Sequence, residues 1–306
     1  MGQPQSAICA EGGKFGLYLT GLLGDEADGL ARLRQVAAAL PQLTADWAIR
    51  LEEPALVSGI GFGAAAWKRL FGPIKPAALV PFEAMADGPR VAPATPADIL
   101  LHIHSPRHDA NFALARDIVE RLGRSLRGVE EIHGFRNLGG RDLTGFVDGT
   151  ENPKGEDRPS VALVGNEDPK FAGGSYVSVQ RYVHDLRRWQ ALALSEQEAT
   201  IGRTKADDEE LADEVKPPYA HIARVVIDED GRELEILRHS LPYGTTSECG
   251  LYFIAYGRSP VPFRKMLERM VKRDGKGHYD RLLDYTRPVT GASFFAPSVD
   301  FLEGLG

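Results

Sequence analysis

The sequence predicts an α+β chain of two tandem halves, each running β-α-β-β-α-β around an antiparallel sheet. Three observations lead there. Residues 99–121 and 250–273 are built alike: an apolar strand, a turn carrying an arginine, a phenylalanine five positions on, then an amphipathic helix. Arg107 and Arg258 lie 151 residues apart, as do Phe112 and Phe263, close to half of the 306-residue chain. The remaining apolar stretches switch between period-two and helical spacing in a similar order in both halves. That order is the split ferredoxin-like arrangement, here in two domains, 1–138 and 175–306, joined by a loop over 139–174.

In the first half, Phe15–Leu22 reads as a strand and Asp28–Leu40 as a helix with apolar spacing. A strand or hairpin runs to Gly63, followed by a short helix over Ala64–Leu70. The strand Ile99–Ile103, the helix Asn111–Leu122 and a strand near Glu130–Phe135 close the half. In the second, Ser175–His184 alternates as a strand should. Helices are expected over Leu186–Ala193 and Ser195–Gly202, the latter with Ser195 and Glu198 as a capping box. Strands Ala223–Asp228 and Leu234–Arg238 flank a hairpin turn at Asp228–Gly231. The strand Leu251–Tyr256 and the helix Pro262–Lys272 complete it.

Hydrophobic residues make up 43% of the chain and charged residues 26%, enough apolar material for a core and a lined pocket. A net charge of −7, with no basic stripe, argues against a nucleic-acid partner. No stretch nears the ~18 uninterrupted apolar residues of a membrane span. The start, MGQPQSAICAEGG, has neither a basic region with a long apolar run nor a twin arginine. Cys9 and Cys249 are too few for a disulfide framework and read as small packing residues. A cytoplasmic protein without a membrane partner is the expectation.

The loop 139–174 is rich in Gly, Asp, Pro and Asn, and loops of that length are uncommon unless they serve a function. Within it, Leu143, Phe146 and Val147 call for burial among glycines that let backbone approach a flat ligand. Asp148 then sits where an apolar setting tunes its proton affinity. The acidic run Asp207–Glu214 reads as a solvated face or mobile loop, since it lacks the glycine and spacing of a calcium loop. Among eight histidines, His102 and His104 share one strand face and read as residues at a surface or domain contact. His133, His184, His239 and His278 show no partner pattern. His221 follows Pro217-Pro218-Tyr219, and residues alone leave it one ligand candidate among several. Arg238 in an apolar strand reads as paired to a carboxylate or as part of a site, with Ser240 on the same face. Leu251 and Phe253 also share a face and read as plain core. Trp47, Trp67, Trp189 and nine tyrosines are mostly core aromatics.

The fifteen residues from Gly139 to Pro153 carry more than local chemistry. GFVDGTENP, with the flanking Arg141-Asp-Leu-Thr144, resembles the G-x-x-D-G signature of dye-decolourising (DyP-type) haem peroxidases. The likeness runs on through Gly174–Val177, Gln180–His184, Ala220–Arg224, Leu237–Gly244, Gly250–Tyr256, Pro288–Gly291 and Phe294–Pro297. It is most similar to the compact bacterial cytoplasmic branch. The resemblance implies two ferredoxin-like domains, with one haem b per chain held mainly by the C-terminal one. It implies His221 as the axial iron ligand and Arg238, seventeen residues on, at the distal side. Asp148 would move a proton between the oxygens of hydrogen peroxide while Arg238 balances the developing charge. Gly149, Thr150, Gln180, Ser240, Leu251 and Phe253 are carried over as cofactor contacts, with Arg224 and Arg181 as weaker candidates for the propionates. Asp284 is the candidate partner for the second nitrogen of His221. Small organic electron donors and homo-oligomerisation also follow from the resemblance. Two alternatives stand beside this reading: a haem-handling or iron-release protein with incidental peroxidase activity, and a cofactor-free ferredoxin-like binding module. A hydrolase lacks its G-x-S-x-G elbow.

Overall fold

The computed structural model describes residues 2–26 and 28–305. Met1, Ala27 and Gly306, which fall within the two domain ranges above, lie outside the described residues. The first half comprises β1 (Phe15–Leu23), α1 (Gly29–Arg50), β2 (Val57–Phe62), α2 (Ala64–Phe71), β3 (Ile99–Ser105), α3 (His108–Leu122) and β4 (Leu126–Phe135). Its strands are antiparallel in the order β4-β1-β3-β2. The second half comprises β5 (Ser175–His184), α4 (Leu186–Gln190), α5 (Leu194–Ile201), α6 (His221–Val225), β6 (Leu237–Arg238), β7 (Leu241–Gly244), β8 (Cys249–Gly257), α7 (Val261–Val271), β9 (Thr286–Pro288) and β10 (Ala292–Ala296). Here β8 lies beside β5, with β6 and β7 on its far side, while β9 and β10 flank β5 on the other. Each half therefore follows the β-α-β-β-α-β order. The repeated turn is real: Arg107 directly precedes α3, and Arg258 lies three residues before α7. The matched phenylalanines diverge, with Phe112 44% exposed and Phe263 buried.

The two sheets meet at both edges. Tyr243 pairs with Gly134 to join β7 to β4, and Phe295 pairs with Phe62 to join β10 to β2. Eight strands thus close into a ring, β4-β1-β3-β2-β10-β5-β8-β7, which leaves few strand edges open. Period-two alternation then sorts side chains into two layers. Val177 and Val179 of β5 and Tyr252, Ile254 and Tyr256 of β8 pack inside the ring with Tyr18, Leu100 and Phe294. Outside the first sheet, α1 and α3 lay Leu33, Leu40, Leu114 and Ile118 on Leu17, Leu19 and Ile103. Outside the second sheet, the layer beneath α6 and α7 is not filled. A cavity occupies it, and Gln180, Tyr182, His184, Leu251 and Phe253 face it.

Several local expectations gave way to tertiary packing. Helix α1 continues ten residues past Leu40, with Pro41 inside it. A proline there costs ~3 kcal/mol, but the apolar face continues through Leu43 and Trp47, and burying that face outweighs the lost hydrogen bond. Residues 221–225 form helix α6 rather than a strand, and the hairpin after it shrinks to Asp228–Glu229 against Arg232–Glu233. Helix α5 starts one residue early, and Glu196 rather than Glu198 accepts the amide of the N-cap residue Ala193, at 3.2 Å. The acidic run is not wholly loose, since Asp208 accepts the Thr150 hydroxyl at 2.5 Å and Glu210 pairs with Arg203 and Lys216.

His102 and His104 lie inside the ring, not at a surface: both are buried, together with His239. His102 Nδ1 meets the Tyr256 hydroxyl at 2.9 Å, and His239 Nε2 takes the Ile8 carbonyl at 2.8 Å. Burial, reinforced by mutual repulsion, holds His102 well below the usual imidazole range. Burial likewise takes His104 to about 4 and His239 to about 3. Unfolded imidazoles titrate near ~6.5, so on acidification the unfolded chain binds protons first. Stability is therefore present above pH ~6.5 and lost toward pH 4, at about 1.4 kcal/mol per pH unit for each histidine. Urea denaturation of the chain should show that fall, and His104→Asn should flatten it by about one proton. An unchanged slope in the variant would show that His104 titrates freely in the fold.

Candidate functional site

The Asp148 loop is built from its own backbone. Asp142 N–H donates to the Phe146 carbonyl at 2.8 Å and Gly145 N–H to the Asp142 carbonyl at 2.8 Å. Gly145 and Gly149 stand at φ +89° and +79°, where a Cβ would be strained. Phe146 anchors the turn by burial against Trp189 and beside Tyr285. Arg141 bonds the carbonyls of Gly145, Lys205 and Ala206, fastening the loop to the segment after α5. Glu151 pairs with Arg203, and Thr150 turns its hydroxyl to Asp208.

This loop forms a partition between two cavities. One is mainly apolar: Ile222, Val225, Phe263, Met266, Leu251 and Phe253 supply much of its wall. The other is more polar and includes His102, His104, His239, Arg136 and Arg158. Val147, Asp148, Gly149 and Arg238 line both. Asp148 is enclosed by protein, and its accessible surface opens into these voids. Burial pushes its carboxyl up from the ordinary range, and Asp142 adds to that, against the pull of the Arg238 and His221 charges. Arg238 has its Nε buried without a hydrogen-bond partner.

His221 opens helix α6 and lines the apolar cavity. Its Nδ1 meets Asp280 Oδ2 at 2.6 Å, and Asp280 is fully buried with Oδ1 held by the Leu282 amide at 3.0 Å. This corrects the expectation of Asp284, which instead accepts the Tyr279 hydroxyl at 3.1 Å. The turn Arg281–Asp284 separates the two carboxylates, so only the first points back to α6. With Nδ1 engaged by a carboxylate, Nε2 is the nitrogen available to a metal.

The other expected contacts divide. Gly149, Thr150, Gln180, Leu251 and Phe253 line the apolar cavity. Gln180 is already tied to Ser178 at 3.2 Å and to the Tyr182 hydroxyl at 2.8 Å. Ser240 lines the polar cavity instead, because the chain leaves β6 at Arg238 before starting β7. Its hydroxyl accepts the Ile254 amide at 3.3 Å. Arg224 is turned away onto Asp274 and the carbonyls of Arg269 and Lys272. Arg181 is spent on Glu130, Glu248 and Tyr243. Sequence reasoning missed a buried pair in the cavity wall: His184 Nε2 meets Asp142 Oδ1 at 3.2 Å, and its Nδ1 meets the Thr286 hydroxyl at 2.7 Å. Burial pushes the Asp142 carboxyl up, yet the bonds from His184 and Thr144 outweigh it and leave the group below the ordinary range. The position of Asp142 in the signature loop was the only available signal.

Two ferredoxin-like halves with a hollow sheet–helix layer, a carboxylate-backed imidazole, and a carboxyl and an arginine lining the same cavity define an enzyme of the peroxidase type. The sequence-family model described as "Dyp-type peroxidase, N-terminal" matches residues 5–136, and "Dyp-type peroxidase, C-terminal" matches 139–301. The chain belongs to the Dyp-type peroxidase family. It is 42% identical over 290 residues to a dye-decolorizing peroxidase of Mycobacterium tuberculosis, covering 94% of this chain and 86% of that protein. With that of Mycolicibacterium paratuberculosis it shares 50% over 245 residues, covering 79% and 69%. Among solved structures, a putative Dyp-type peroxidase from Shewanella oneidensis superposes with TM-score 0.94 at 44% identity, covering 99% of both chains. A Rhodococcus jostii DypB variant in complex with haem gives 0.94 at 41%, covering 98% and 97%. Among the described residues no helix is long and apolar enough to cross a membrane.

Proposed function

We propose that this chain is a haem-dependent peroxidase that reduces hydrogen peroxide and oxidises dyes, phenolic or other organic donors, with one haem b per chain. The single observation that carries it is one apolar cavity whose wall holds His221 backed by buried Asp280, together with Asp148 and Arg238. The donor set fits the cofactor. Leu251, Phe253, Ile222 and Met266 offer apolar surface to a flat macrocycle, and His221 Nε2 offers one neutral imidazole nitrogen. The partnerless Nε of Arg238 is a buried donor awaiting an acceptor. When bound, the haem supplies the iron that takes electrons from donors and passes them to peroxide.

The chain's own groups supply the rest. Asp148, ionised, would accept the proton of one peroxide oxygen and return it to the other, so the latter leaves as water; two donor electrons and two solvent protons then bring the remaining oxygen to water as well. Arg238 holds its positive charge where negative charge develops on the leaving oxygen. Asp280 fixes the tautomer of His221 and strengthens its lone pair. The polar cavity gives the partition a water-accessible side through which small polar reactants reach Asp148 and Arg238. Haemin titration should give a Soret band saturating at one per chain, with peroxide-dependent dye oxidation. Absence of stoichiometric binding would remove the proposal. Asp280→Asn should lower activity and haem-iron affinity by about 10- to 100-fold, read by dye turnover and by competition of apomyoglobin for the haem.

Cytoplasmic residence is supported by the two free cysteines, Cys9 and Cys249. Homo-oligomerisation rests on family resemblance, and sedimentation of the haem-loaded protein tests it.

A further inference from the structure

Asn152 spends both ends of its side-chain amide on a single residue. Its Oδ1 accepts the Arg238 N–H at 2.8 Å, and its Nδ2 donates to the Arg238 carbonyl at 2.9 Å. A neighbouring antiparallel strand would make that same pair of bonds. Strand β6 needs them, because it is two residues long and sits at the sheet margin with β8 on one side only. The Arg238 side chain offers no substitute anchor, since its Nε has no partner. Asn152 is also bound to the loop it comes from: its own N–H donates to the Gly149 carbonyl at 3.0 Å and closes the turn just after Asp148.

We infer that Asn152 is a positioning residue for the peroxide reaction, acting as a one-residue strand that fixes the Arg238 guanidinium relative to the Asp148 carboxyl. The inference rests on the peroxidase reading, because it matters only if both groups act on one small molecule. Proton transfer and charge balance on a two-oxygen substrate demand that the two groups converge, and a misplacement of ~1 Å costs on the order of 100-fold. The groups arrive from segments 86 residues apart between Asn152 and Arg238. Among the described residues this amide is the side-chain tie recorded between the Asp148 loop and the Arg238 backbone.

The test has a haem-free arm and a haem-loaded arm. In the haem-free chain, hydrogen exchange at the Arg238 amide should accelerate at least tenfold in Asn152→Ala. It should accelerate less in Asn152→Asp, which keeps the acceptor for the Arg238 N–H but turns an oxygen that cannot donate onto the Arg238 carbonyl. In the loaded protein, the peroxide-induced Soret change should slow by 10- to 100-fold in Asn152→Ala, with the KM for the organic donor unchanged. In an Arg238→Leu background the same substitution should cost less than threefold, because its effect passes through the guanidinium. Full multiplication of the two effects, or an Asn152→Ala rate within threefold of wild type, overturns the inference. Should Asn152→Ala fail to fold, Asn152→Asp decides. With one of the two bonds lost, it should slow the peroxide reaction and speed Arg238 amide exchange together, and a wild-type rate with unchanged exchange overturns the inference as well. A wild-type protein that binds haem yet ignores peroxide would instead sink the peroxidase reading, and the exchange arm would still report whether the clamp exists.

Discussion

His221→Ala is expected to remove the protein's hold on the haem iron and to lower peroxide turnover by more than the ~100-fold that loss of an outer partner costs. The argument is one of supply. Other histidines reach the neighbourhood, but each is committed: His184 is bonded on both ring nitrogens to Asp142 and Thr286, and His102, His104 and His239 line the polar cavity inside the ring. In the apolar cavity, His221 combines a carboxylate on Nδ1 with an available Nε2. The variant leaves Asp280 buried with the Leu282 amide as its remaining partner. A loss of about 1–3 kcal/mol in folding stability should therefore accompany the substitution. Added imidazole should occupy the gap, restore the ligated Soret spectrum and recover part of the turnover. Unchanged ligation and peroxide reactivity in His221→Ala would place the iron on another residue and end this account of the site.

The second large effect is expected from Asp148→Asn, which should slow the reaction with peroxide by about 10²–10⁴-fold. Asparagine keeps the shape but cannot take a proton. Burial raises the Asp148 carboxyl above its ordinary value, so in wild type the proton-accepting form is lost as pH falls through a window lying above ~3.9. The rate should fall on the acid side through that window, and the limb should vanish in the variant. Stability should move the other way. A carboxyl with a raised folded pKa favours the fold while protonated and loses that contribution as pH rises through the same window. Asp148→Asn should therefore be at least as stable as wild type at pH 7, measured by urea denaturation of the haem-free chain. Retention of both the rate and the acid limb would show that the proton moves elsewhere, with His184–Asp142 the next pair to substitute.

Much of this site was legible because its signals are local. The loop's mix of glycines with apolar residues marked it as partly buried around Asp148, and the alternation in Ser175–His184 separates Val177 and Val179 from the face that carries Gln180. Burial of Phe146 follows from an apolar residue set among loop residues. The partner of His221 was not local. Asp280 and Asp284 are equivalent by composition, and only the tight turn beginning at Arg281 turns the first toward α6 and the second toward Tyr279. The strand expected at Ala223–Asp228 failed for a similar reason. An apolar run of that length suits either period, and packing against α7 beneath the cavity selected helix.

Sequence alone determined the element order of the first half, the strands Ser175–His184 and Leu251–Tyr256 with the helix after the latter, and the loop chemistry around Asp148, because each depends on neighbours along the chain. Only the tertiary structure decided that the sheets close into a ring, that the histidines at 102, 104 and 239 converge inside it, and that one sheet–helix layer stays hollow while its counterpart is packed. These outcomes depend on which distant faces meet, and that is set by the summed burial of many side chains rather than by the preference of any one segment.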